Sequence, residues 1–133
     1  MSWIDLLDDN RFLRTLFPEG DPSLASTRLH ELQLHQDGPS VVLRFDLDAY
    51  PSQPPAKWQA AQSNTVQVRL VGVGIPELEI RAWSRNNVGR LRIERREPGI
   101  EIAFSADGCH VAAVVDHLRV DSVTAYRNQP QGT

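Results

Sequence analysis

The sequence predicts an α+β domain: a short N-terminal helical segment followed by about eight antiparallel strands that form a curved sheet, sandwich or partial barrel. Three observations carry this prediction. Helical spacing of apolar residues is confined to the start of the chain. From about residue 25 the apolar side chains recur at every second position, the repeat of a strand. Turn chemistry built on Gly, Pro, Asp and Asn then interrupts the chain at intervals of about ten residues, and no helical stretch of βαβ length separates the strands.

At the N-terminus, Ser2 with Asp5 three residues on resembles a capping box, and Asp5, Asp8 and Asp9 suit the positive end of a helix. Ile4 and Leu7 do not continue in phase to Leu13 and Leu16, so a break near Asn10 is expected, giving two short helices. Pro18, Gly20 and Pro22 end the helical region. Leu32 and Leu34, then Val41, Leu43, Phe45 and Leu47, alternate with polar residues on either side of Asp37-Gly38-Pro39, which reads as a hairpin. Residues 50–63 contain Pro51, Pro54 and Pro55 and read as a long exposed connection or extended segment. Further strands are expected around Val66–Leu70, Leu78–Ala82, Leu91–Ile93, Ile100–Phe104, Val111–Val115 and Leu118–Val120, the last extending to Val123 and Ala125. Residues 1–127 read as one domain and residues 128–133 as a flexible tail.

The 133 residues suit a single core, and 41% hydrophobic with 23% charged residues is an ordinary globular composition. No apolar run approaches the ~20 residues that span a bilayer, and acids stand where a secretory signal carries bases; a cytoplasmic protein is expected. Of 14 basic residues only Lys57 is a lysine, the bias of a GC-rich bacterial genome. The net charge of −3 argues against general nucleic-acid binding. The one cysteine, Cys109, forms neither an internal disulfide nor a Cys-rich zinc site.

The chemistry-bearing residues do not assemble into a catalytic pattern. His30 and His35 are odd-spaced, so a regular strand puts them on opposite faces, and His110 with His117 and Asp116 lacks further ligands. Cys109 and His110 are adjacent and point apart in a strand, which favours a buried small cysteine over a nucleophile. Gly72 and Gly74 lack the third glycine and the helix of a phosphate loop. The arginines between Arg81 and Arg96 have one interleaved aromatic, Trp83, and read as a solvated hairpin face. Asp46 and Asp48 alternate with Phe45 and Leu47 and so fall on the outward, wet face. Beside Tyr50 and Trp58 they form the candidate recognition surface for a basic partner.

The segments SWIDLL, FDLDAYPSQPPAKW, NTVQVRLVGVGIPELEIRAW and VDSVTAY together resemble the immunity protein 50 family of bacterial polymorphic toxin systems. The resemblance runs from residue 2 to about residue 126. It implies a cytoplasmic antidote that binds one cognate toxin by occlusion. It carries over no catalytic residue, metal or cofactor. Residues 1–60 hold nine acids and five bases, a balance of −4, so the acidic N-terminal half is the expected partner face. Asp46, Asp48, Tyr50 and Trp58 are the expected partner-binding residues. Alternatives are a small-ligand-binding β domain, an uncharacterised enzyme, or a homodimer formed through a strand edge.

Overall fold

A computed structural model describes residues 2–128. Its eight strands are β1 (Thr27–His35), β2 (Ser40–Asp46), β3 (Thr65–Val73), β4 (Glu77–Ile80), β5 (Val88–Arg96), β6 (Gly99–Ala106), β7 (Cys109–Val115) and β8 (His117–Tyr126). They form one open antiparallel sheet in the order β4-β7-β6-β5-β1-β2-β3-β8. The fold class read from the sequence is therefore the one observed. The tail expected at residues 128–133 lies largely outside the described residues; Asn128 itself is tied to Asn64 by two hydrogen bonds.

The sheet consists of two four-stranded halves joined by a thin seam. Between β1 and β5 only Thr27–Gly89 and Arg28–Val88 are paired. The Thr27 hydroxyl reinforces this seam by donating to the Gly89 carbonyl at 3.1 Å. The inward residues of the two halves share one core. Val41, Leu43, Phe45, Val66, Val68 and Leu70 come from one half, and Leu91, Ile102, Phe104, Val111 and Val115 from the other.

Gly72 shows how closely the halves meet. A Cβ added there would lie 2.7 Å from Val115 Cγ1 and 3.1 Å from Val41 Cγ1, so the half-phosphate-loop spacing is a packing requirement of β3 against β7.

The N-terminal segment covers part of this core. A 3₁₀ turn (Ile4–Leu6) and a short helix α1 (Arg11–Leu16) flank the break expected near Asn10. Trp3, Ile4, Leu7, Leu13, Leu16 and Phe17 are buried against the sheet. The Ser2 hydroxyl accepts the Asp5 N–H at 3.2 Å, as a capping residue does. Asp21 holds the segment together by accepting hydrogen bonds from the Ser2 hydroxyl, the Ile4 N–H and the Arg14 guanidinium. Burial alone would raise the Asp21 pKa, but these three donors outweigh it and hold the carboxyl below its ordinary value.

Two expectations need correction. The proline-rich connection contains a helix, α2 (Ala56–Ala60). Pro55 sits at its N-cap with φ −56°, and the following Ala, Lys, Trp, Gln and Ala are mostly good helix formers, a signal masked by three nearby prolines. The strand expected through Ala82 stops at Ile80, since Ala82 takes φ +78°.

Gly72→Val is expected to overpack the meeting point of the two halves and lower stability by about 1–3 kcal/mol. Urea unfolding measures this.

Candidate partner-binding surface

β1 and β8 each carry a bulge, and both bulges shape the outward face. In β1 the register shifts between Leu29 and Glu31. Leu29 and Leu32 therefore point inward while His30 and Glu31 both lie on the polar side. In β8 the shift accommodates Asp121 between Val120 and Ser122. Sequence alternation alone misses this, because each bulge moves the phase by one residue.

The His30 bulge brings its ring to Asp46, Nε2 to Oδ2 at 2.7 Å. Gln67 on β3 donates from Nε2 to the other carboxylate oxygen at 3.0 Å, and the Tyr126 hydroxyl on β8 donates to Oδ2. Asp46 points outward as its alternation requires, but it is 5% exposed, not wet. Three neighbouring side chains and the closing strand β8 take the place of water around it. The Tyr126 pKa is pushed up to about 12, first by burial and then by the hydrogen bond to the Asp46 carboxylate, since both disfavour a phenolate.

A second set of charges continues across the same face. Glu31 accepts from Arg44, Arg69 and Gln33, and Arg69 also reaches Asp121 at 3.2 Å. The Gln33 and Arg44 hydrogen bonds lead the effects that hold Glu31 below its ordinary pKa.

Asp48 is exposed and lines a small cleft with Asp46, Arg28, Asn64 and Thr65. Tyr50 lines a different depression, beside Leu16, Phe17 and Pro51. Trp58 of α2 lies 6.3 Å from Tyr50, ring centre to ring centre, and Phe12 of α1 meets Trp58 edge-to-face at 5.9 Å. Tyr50 and Trp58 are only partly exposed and rest on the core, whereas Phe12 is 41% exposed. The Tyr50 hydroxyl is buried without a hydrogen-bond partner among the described residues. The expected four residues thus divide into a buried strand clamp (Asp46), an exposed acid (Asp48) and an aromatic cluster (Tyr50 and Trp58). Phe12 completes the cluster. It stands one helical turn from the buried Leu16, so its spacing reads as part of the core face and carries no signal of its exposure.

Cys109 is buried, which pushes its thiol pKa up and disfavours the nucleophilic thiolate. Arg81, Arg92, Arg95 and Arg96 each pair with a glutamate. Among the described residues, no cluster of three or more His, Cys, Asp or Glu side chains could hold a metal ion, and no helix is long and apolar enough to cross a membrane.

These features define a small α+β domain with one curved antiparallel sheet, a polar face of linked hydrogen bonds and a partly exposed aromatic cluster. The family model for Immunity protein 50 matches residues 10–126, and the chain belongs to that family. No curated protein and no solved structure matches the chain.

Tyr126→Phe is expected to cost about 1–3 kcal/mol by leaving a buried carboxylate short of a donor. Because the folded-state pKa of Tyr126 is raised, its contribution is fully present below its unfolded value near 10 and is lost as pH rises toward 12. Urea unfolding across this range should show an alkaline loss of stability that is smaller in the variant.

Proposed function

We propose that this protein is a cytoplasmic bacterial antidote that binds one cognate toxin of a polymorphic toxin system and blocks it by occlusion, without catalysis of its own. Family membership supplies the class of role. The observation that carries the reading to a surface is the Phe12–Trp58–Tyr50 cluster on the acidic N-terminal half. Aromatic side chains held by a core lose little freedom on binding and provide area for a partner. Asp48 is the exposed acid that would speed and orient the approach of a basic toxin surface. Asp46 acts indirectly in this reading, by fixing the strand end from which Asp48 and Tyr50 follow.

Co-expression with the product of the neighbouring candidate toxin gene tests the role. Rescue of growth together with co-purification is the expected result. Rescue without a complex would favour an enzyme that reverses toxin damage. With an active toxin, failure of both rescue and binding counts against the pairing. In the complex, Phe12→Ala and Trp58→Ala should each weaken binding roughly tenfold or more. Asp48→Lys should mainly slow association and reduce its salt dependence, measured by stopped-flow or surface binding. Unchanged kinetics for all three variants would move the interface elsewhere.

A further inference from the structure

The two edges of the sheet are managed differently. Along β8, Asp8 forms a parallel bridge to Arg119: its N–H donates to Leu118 O at 2.9 Å, and its carbonyl accepts from Val120 N–H at 3.0 Å. The bulge at Asp121 further distorts that edge. Among the described residues β4 has neither protection and pairs only with β7, through Glu77–Val114, Leu78–Ala113, Glu79–Ala112 and Ile80–Val111.

The Arg81 N–H continues this ladder by donating to His110 O at 2.8 Å. Backbone polarity alternates along an antiparallel strand, so the N–H and C=O groups of Leu78 and Ile80 point to the free side. Their side chains share the face of the buried Val111 and the buried Ala113, yet are 40% and 43% exposed. β4 therefore presents unpaired hydrogen-bonding groups and two uncovered apolar side chains together.

We propose that the free edge of β4 is a two-fold interface joining two copies of this chain into one continuous sheet. A two-fold axis perpendicular to the sheet preserves its faces, so odd-numbered residues must oppose odd-numbered residues. Centring the axis on Glu79 places Leu78 opposite Ile80 twice and Glu77 opposite Arg81 twice. Each apolar pair extends the core face, and each outer pair joins opposite charges. Centring it on Ile80 would instead require Ala82, with φ +78°, to continue the ladder. The favoured register sets Glu79 against its own copy, a like-charge contact moderated by the adjacent Arg81, which pairs with Glu79 at 2.6 Å. That contact weakens the association, so the dimer forms only as concentration rises.

Sedimentation velocity over a concentration series tests the proposal. The wild-type chain should pass from monomer to dimer. Ile80→Lys should weaken the dimer roughly tenfold or more while leaving near-UV circular dichroism unchanged. Arg81→Glu, on an exposed side chain, should weaken it too, and Glu77→Arg with Arg81→Glu should restore it.

The register has its own readout. Opposed Glu79 residues form a non-hydrogen-bonded pair with Cα atoms about 4.5 Å apart, within disulfide range. Glu79→Cys should therefore cross-link under mild oxidation much faster than a control at the exposed turn residue Asp107. A chain that stays monomeric at every concentration overturns the proposal. So does a dimer unmoved by both Ile80→Lys and Arg81→Glu, or Glu79→Cys cross-linking no faster than the control. A monomeric wild type whose β4 variants lose toxin protection would give this edge to the toxin, and would overturn the proposal while sustaining the antidote role.

Discussion

The carboxylate of Asp46 is the group on which the first half of the sheet depends. It lies on β2 and receives donors from β1, β3 and β8. A buried charge is tolerated only when its oxygens are served, so each of these strands must stand in one register for the site to exist. A one-residue slip of any strand would turn its apolar set outward and withdraw its donor at the same time. The β1 bulge belongs to the same constraint. It lets His30 reach Asp46 and Glu31 reach Arg44 and Arg69, where a regular strand would send one of the two side chains inward.

The aromatic cluster rests on a comparable arrangement at the N-terminus. Leu13 and Leu16 bury one side of α1, and Asp21 ties the chain before the helix to the helix through Ser2, Ile4 and Arg14. That leaves Phe12 at the boundary of the core, where it meets Trp58 of α2. Tyr50 also lies beside Trp58, its ring tilted at 40° to the indole. The surface is thus set by buried residues, because helices this short are not stable alone and depend on that packing.

Most of the fold was legible because its signals are local. Val41, Leu43 and Phe45 alternate without interruption, and their strand lies where alternation put it. The break at Asn10 showed as a phase change between Leu7 and Leu13. What escaped was long-range or masked. The bulges at His30 and Asp121 depend on what a neighbouring strand requires. The burial of Asp46 depends on Tyr126, eighty positions away. Helix α2 is hidden in the sequence because its five helix formers follow directly on prolines, whose helix-breaking signal dominates so short a segment. At the site, the sequence offers Tyr50 and Trp58 as separate aromatic candidates without their contact, and Phe12 only as a contribution to a helix face.

The order of strands in space differs from their order of synthesis. β3 pairs with β2 as soon as both have been made, but its other neighbour is β8, the last strand. β4 likewise waits for β7, beyond two intervening strands. A nascent chain on the ribosome therefore displays two open strand edges through much of its elongation. It also holds the Asp46 carboxylate without its phenolic donor until Tyr126 emerges. Completion of the sheet therefore waits for β8, and until that strand is made the growing polypeptide carries unpaired strand edges.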